Sequence, residues 1–151
     1  MSHLRLRHVE ENDIELIFNW SNDNEVRKNS FHTETIKWEE HVNWFKNIIE
    51  NKNVYFFILE NDGRPIGQIR ITFEKNDEGI ISFSISKEFR GFGFGKEILR
   101  LAEEQLNKIN VKCQLIGLVK KDNIASRKSF IKNRYTEIKM DENSMKYEKH
   151  I

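Results

Sequence analysis

One cysteine, one proline and seven glycines in 151 residues leave this chain little with which to staple, kink or loosen itself. Cys113 has no partner for an internal disulfide, which points to the cytosol. It stands just ahead of an apolar run, with no histidine close in sequence to depress its pKa, so it reads as a small packing residue rather than a nucleophile. Charge of a single sign is also missing. With 25 Lys plus Arg against 24 Asp plus Glu, no long-range field exists to gather nucleic acid or an anionic membrane surface. No apolar run approaches the roughly 18 residues of a membrane span, and the start, Met-Ser-His-Leu-Arg-Leu-Arg, has no apolar segment suited to export. No set of His, Cys, Asp and Glu has metal-site spacing, and no Gly-x-Ser-x-Gly elbow is present. These absences leave one domain over residues 1–151, able to bury about two thirds of its unfolded surface without disulfides.

Hydropathy patterning then orders the elements. Leu4 and Leu6 alternate with Arg5 and Arg7 in a first strand. Asn12 or Asp13 can cap a helix carrying Ile14, Ile17, Phe18 and Trp20, which the polar run Ser21 to Glu25 ends or bends. A second helix has the stripe Ile36, Val42, Phe45, Ile48 and Ile49, with Thr33 and Thr35 as caps. Val54 to Leu59 is apolar throughout, as in a strand buried on both faces, and Asn61-Asp62-Gly63 before Pro65 is a hairpin turn. In the next strand Gln68, Arg70 and Thr72 share one face. A fourth strand alternates Ile81, Phe83 and Ile85 with Ser82, Ser84 and Ser86. After it come a helix striped with Ile98, Leu99, Ala102, Leu106 and Ile109, a buried strand at Leu115 to Val119, and a helix from Asn123 to Arg134. Two closing strands, Tyr135 to Met140 and Ser144 to Glu148, flank the turn at Asp141. This order predicts an α/β fold on a mixed sheet of about seven strands with four helices.

The most informative stretch joins the fourth strand to its helix. In Arg90-Gly91-Phe92-Gly93-Phe94-Gly95-Lys96 the glycines free the backbone and remove every Cβ that would block a ligand, so successive N–H groups can face one concavity. The helix adds unpaired first-turn N–H groups and its positive end, and Arg90 and Lys96 add charge at the rim. A phosphate-bearing ligand suits such a loop. The spacing is not that of a dinucleotide fold, which needs glycine where Lys96 stands, nor that of a P-loop, which needs Ser or Thr where Glu97 stands.

With this element order, Arg90, Gly93 and Gly95 resemble the core signature of the GNAT superfamily of acetyl-CoA-dependent N-acetyltransferases. Asn123, Ser126, Phe130 and Lys132 are similar to a second signature of that superfamily on the following helix. The resemblance spans essentially the whole chain. It implies that backbone N–H groups of residues 91 to 96 hold the CoA pyrophosphate, and that the fourth strand splays from the fifth so that backbone at Ser84, Ile85 and Ser86 pairs with the pantetheine amides. It implies further that Asn123 and Ser126 contact the cofactor from the next helix, and that an Ile85 N–H stabilises the oxyanion. Many members carry a proton-donating Tyr where this chain has Phe130, and Tyr135 is the nearest substitute, with a packing role as its alternative.

On the acceptor side, the segment from Trp20 through Arg27, Ser30 and Phe31 to His41 and Trp44, with Gln68 and Arg70, is similar to acetyltransferases of nucleotide-linked amino-sugar pathways of the pseudaminic type. That resemblance implies a UDP-linked dideoxy amino sugar as acceptor of acetyl on its 4-amino group. Aromatic faces suit a uracil, and Arg27 or Arg70 can pair with diphosphate. His41 has the ordinary pKa of a base for an ammonium proton, with packing as its other reading, and Glu78 and Glu88 flank the fourth strand as relay candidates. Acetylation of a protein N-terminus or another small amine, and acyl-CoA sensing without transfer, remain alternatives. The sequence leaves oligomeric state open, a homodimer included.

Overall fold

Stretches that alternate in hydropathy, or are apolar throughout, pair into one mixed sheet in a computed structural model that describes residues 3–151. Met1 and Ser2, which open the run read above for export, lie outside the described residues. The strands are β1 (Leu4–His8), β2 (Val54–Asn61), β3 (Arg64–Lys75), β4 (Glu78–Ile85), β5 (Gln114–Lys120), β6 (Thr136–Lys139) and β7 (Ser144–His150), in the order β1-β2-β3-β4-β5-β7-β6. The helices are α1 (Ile14–Ser21), α2 (Asn24–Asn29), α3 (Trp38–Glu50), α4 (Phe94–Lys108) and α5 (Ile124–Lys132).

The seven-stranded mixed sheet agrees with the sequence reading, while the helices number five rather than four. The addition is α2. Asp23 ends the reach of α1 and starts a new helix, its Oδ1 accepting from the N–H groups of Glu25 and Val26 at 3.0 and 3.3 Å. Six residues without an apolar stripe give no periodic signal. α3 also starts later than expected, at Trp38. Lys37 occupies the N-cap without a side-chain bond, so Thr33 and Thr35 are not its caps. Ile36 precedes the helix, its N–H and carbonyl held by the Asn22 side chain at 2.8 and 2.9 Å. Ile109 falls just past α4 and is exposed rather than part of its stripe. Tyr135 precedes β6, its N–H turned back to the Phe130 carbonyl at 3.1 Å.

β2 is buried on both faces, as its unbroken apolar run requires. Phe57 and Leu59 join Ile69, Ile98, Leu99 and Tyr147 in one core, and Phe56 and Ile58 join Ile17 and Phe45 in another. Each such side chain contributes about 1.5–3 kcal/mol on burial. Asp62 and Gly63, with φ of 51° and 82°, close the β2–β3 hairpin with the primed turn that matches strand twist.

One seam is incomplete. β4 and β5 run parallel and pair from Glu78↔Gln114 to Ile81↔Gly117, and there the ladder stops. Beyond it β4 continues along β3 as far as Ile85↔Gly67, while β5 continues along β7 to Lys120↔Ser144. The two strands therefore open into a V, the splay expected between the fourth and fifth strands. The Phe130 ring wedges its base. It lies edge-on to Phe83 with centroids 5.6 Å apart, and its Cζ occupies the space that a Cβ at Gly117 would need.

Candidate active site

From the open end of β4 the chain makes a short turn over Lys87–Phe89 and enters the glycine loop. Gly91 and Gly93 both take φ of 84°, a left-handed conformation that glycine adopts without strain. A Cβ at either would meet nothing within 4 Å, so the loop is open to an approaching group. Among the described residues no N–H from residue 91 to 96 donates to a backbone carbonyl or a side chain. Alternating left-handed glycines, free consecutive N–H groups and the positive end of the 15-residue α4 together make an anion cradle that fits a diphosphate. Lys96 is exposed beside it, as is Phe92, at 72%.

Two expectations for this loop need correction. Gly95 does not turn the chain: it lies in the first turn of α4, where a Cβ would stand 2.5 Å from Ser129 Oγ, so its smallness lets α5 approach. Asn133 reinforces that contact, its Nδ2 donating to the Lys96 carbonyl at 3.1 Å. The Arg90 side chain does not stand at the rim. Its Nε donates to the Ile85 carbonyl at 2.9 Å and its Nη2 meets Asp23 Oδ1 at 2.8 Å, which turns the guanidinium inward.

At the mouth of the V, the Ser86 N–H is used on Ile66 of β3, with N to O of 2.8 Å. Backbone groups of an extended strand alternate sides, so the Ile85 N–H faces the opening. Strand-edge groups in this position suit an extended, amide-bearing arm. Phe130 is 2% exposed beneath the mouth and stacks on Tyr147 at 5.1 Å, so it shapes the V from below instead of facing it. Asn123 caps α5, its Oδ1 accepting from the Ser126 N–H at 3.3 Å, and Lys132 is exposed at the far end of that helix.

On the face of α1 and α2, a cavity of about 390 Å³ reaches the same end of β4, lined by Trp20, Asp23, Val26, Ser84, Ile85 and Glu88 among others. Burial pushes the Asp23 carboxyl up, but its bonds to Arg90 and to the first turn of α2 outweigh this and hold it below its ordinary value. Glu88 faces Arg64 at 2.7 Å on this rim. Glu78 opens β4 at its other end, beside Lys75.

Four residues proposed from the sequence do structural work here. His41 is 2% exposed inside the α1–α3 contact, where its Nε2–H donates to the Ile14 carbonyl at 2.8 Å and its ring packs on Phe18, Trp44 and Phe45. Burial pushes its pKa down. So enclosed, it does not reach an acceptor amine. Arg27 binds the carbonyls of Ser21, His32 and Glu34 and shares a bond with Ser30 Oγ, which itself donates to Val26. These two residues shape the α2–α3 loop. Tyr135 is 5% exposed, with its hydroxyl buried and unpartnered, and burial followed by the nearby Glu103 charge raises its pKa strongly. It packs on Phe130 and Lys149 and is poorly placed to give up a proton. Phe31 is exposed and lines a separate hollow with Lys120 and Lys121.

Gln68 and Arg70 lie on the sheet face that carries Ser84 and that Trp44 covers. Gln68 Nε2 donates to Ser84 Oγ at 3.0 Å, and the Arg70 guanidinium lies 4.9 Å over the Trp44 ring. Asp23, Ser82 and Gly117 escaped the sequence reading. Asp23 alone had a signal, the helix-start pattern Asp-Asn-Glu.

The family description "Acetyltransferase (GNAT) domain" matches residues 3–136. The chain belongs to the GNAT acetyltransferases. Over 129 residues it is 30% identical to the acetyltransferase PseH of Campylobacter jejuni, covering 82% of this chain and 77% of PseH. It is 31% identical over 86 residues to an uncharacterized N-acetyltransferase of Methanocaldococcus jannaschii, a match spanning 56% of this chain and 54% of that relative, about half of each. Among solved structures, a domain from M. jannaschii superposes with a TM-score of 0.86 at 24% identity over 100% of both chains. PseH in complex with acetyl coenzyme A superposes at 0.72 with 19% identity over 98% and 99%. A spermidine N-acetyltransferase from Vibrio cholerae, in complex with CoA and spermine, reaches 0.82 with 17% identity over 98% and 94%. At these identities the structural likenesses speak for the GNAT fold.

Proposed function

We propose that this GNAT protein transfers acetyl from acetyl-CoA directly to a primary amine, and that the amine is the 4-amino group of a nucleotide-linked dideoxy amino sugar. The observation that carries transfer is the continuity of the site: the glycine cradle, the V beside Ile85 and the acceptor cavity meet at one end of β4. Backbone N–H groups of Gly91 to Lys96 hold the pyrophosphate, and of the Ser84–Ser86 stretch it is Ile85, between two serines whose backbone turns toward β3, that offers its strand-edge N–H to the acetyl-bearing end of the pantetheine arm. Acetyl-CoA supplies the activated acetyl thioester. The Ile85 N–H stabilises negative charge as it develops on the carbonyl oxygen, and holding both reactants beside it supplies much of the rate gain.

Direct transfer suits the one cysteine. Cys113 is buried and burial pushes its thiol up, so no thiolate is offered for an acetyl-enzyme. With His41 enclosed and Asp23 held by Arg90, Glu88, in an exposed pair with Arg64 on the cavity rim, is the carboxylate that draws off the ammonium proton through water. With no hydroxyl at Phe130 and Tyr135 buried, the departing thiolate is protonated by solvent. The sugar acceptor draws support from the PseH relationship. CoA release measured against UDP-linked amino sugars, peptides and polyamines tests the reading. Activity confined to peptides or polyamines rejects the sugar, and ping-pong kinetics rejects direct transfer. Acetyl-CoA binding without CoA release from any amine favours a sensor.

A further inference from the structure

Arg70 is a half-buried cation without a counter-ion among the described residues. It stands mid-sheet on β3, its guanidinium lies against Trp44 at 4.9 Å and Phe56 at 5.8 Å, and among the described residues it makes no ion pair and no side-chain hydrogen bond. Among the described residues no carboxylate lies within ion-pair distance of it, so the two rings are its only close partners and its N–H groups remain available to an anion. Two residues along the strand, Gln68 gives its Nε2 to Ser84, while its Oε1 is buried with no partner at all. Register puts these groups in pairs on one floor: Gln68 opposite Ser84, and Arg70 opposite Ser82. Phe56 closes the other flank of Arg70 and is buried, whereas Ser82 is exposed, so the guanidinium is walled by aromatic rings on one side and open on the serine side.

We infer that Arg70, with Ser82 and the free Gln68 oxygen, forms an anion-recognition subsite that selects acceptor amines carrying a phosphate or carboxylate about 7 Å from the reacting nitrogen, two residues of strand rise. The inference rests on the transfer reading only for the position of the amine, beside Ser84 and Ile85. A guanidinium forks onto either oxyanion, and Trp44 holds its plane in place. The buried Gln68 oxygen accepts from a hydroxyl or N–H of the same ligand. The spacing excludes α-amino acids, whose amine and carboxylate sit on one carbon. It also removes Arg27 from the task, since that side chain is committed to the α2–α3 loop.

The test is calorimetric titration of inorganic pyrophosphate in one arm and malonate in the other into protein saturated with CoA, so that the glycine cradle is already filled. Saturable binding of either is expected, and the tighter arm names the group. Arg70→Gln should weaken it about tenfold or more. Ser82→Asp alters an exposed position, so it folds even if the Arg70 variant does not, and should abolish binding by presenting a carboxylate to the guanidinium. Absence of saturable binding to the wild type, or equal binding in Ser82→Asp, overturns the subsite. Kinetically, an aminobutyl phosphate should exceed butylamine in kcat/KM through a lower KM, and equal values also overturn it. Equal acetylation of both amines leaves the transfer reading standing. Anion binding in a protein that releases CoA with no amine supports the subsite and sinks transfer instead.

Discussion

Arg90 and Asp23, 67 positions apart in sequence, meet at 2.8 Å. The contact ties the segment after β4 to the first turn of α2, so the residue preceding the cofactor loop is joined to the helix that walls the acceptor cavity.

Asp23→Asn keeps a good N-cap and removes the charge. Because Asp23 titrates below its ordinary value of 3.8, its contribution is present above that value and is lost as pH falls through the lower folded value. At pH 7 the variant should be less stable by about 1 kcal/mol, or about 2–4 °C in Tm. The gap should narrow as pH falls below 3.8 toward the lower folded value. Thermal melts at pH 7 and at a series of values below 3.8 check this, and an unchanged gap contradicts the ion-pair account.

Gly93→Val forces a β-branched residue into a left-handed conformation, at a cost of about 1–2 kcal/mol in folding. Its added methyl groups project where a diphosphate would approach, so CoA affinity should fall at least about tenfold. Calorimetry with CoA alongside thermal melts separates the two effects. Undiminished CoA binding in the folded variant removes the loop as the phosphate grip.

Gly117→Ala drives a methyl into the space that the Phe130 ring occupies. Overpacking at this site should cost about 1–3 kcal/mol. Adding Phe130→Leu should recover part of that loss, since the smaller side chain vacates the contact. Urea unfolding of the single and double variants measures the coupling, and strictly additive losses refute the wedge.

His41→Ala should destabilise the protein by about 2–3 kcal/mol, through lost packing and the orphaned Ile14 carbonyl. With a folded pKa below the ordinary 6.5, the histidine contributes fully above 6.5 and less as pH falls through the folded value. The penalty should thus be smaller at pH 5 than at pH 8. In the folded variant the pH profile of kcat should match the wild type, and a lost acidic limb would reinstate His41 as the base.

The glycine loop was legible because glycine is scarce in this chain, and two of the three that cluster before Phe94 and Lys96, Gly91 and Gly93, have a backbone reason in their φ of 84°. The sheet was legible from alternation in β3 and β4 and from the unbroken apolar run of β2. What stayed hidden depends on partners remote in sequence. Arg90 is basic and next to a phosphate loop, and nothing local says that Asp23 will claim its guanidinium. Arg27 likewise reads as a free cation until the loop carbonyls fold around it. For His41 a signal existed: it stands four residues before Phe45 and seven before Ile48, on the stripe that α3 buries.

The V between β4 and β5 has a mechanical consequence. Four strands, β1 to β4, and three, β5 to β7, hang together through four paired positions from Glu78↔Gln114 to Ile81↔Gly117. Past those four positions the two half-sheets are joined by side chains alone, through the core in which Ile69 and Ile81 pack with Leu115 and Tyr147. The gap is thus floored by packed side chains and flanked by main-chain edges, a trough whose walls are polar and whose bed is greasy.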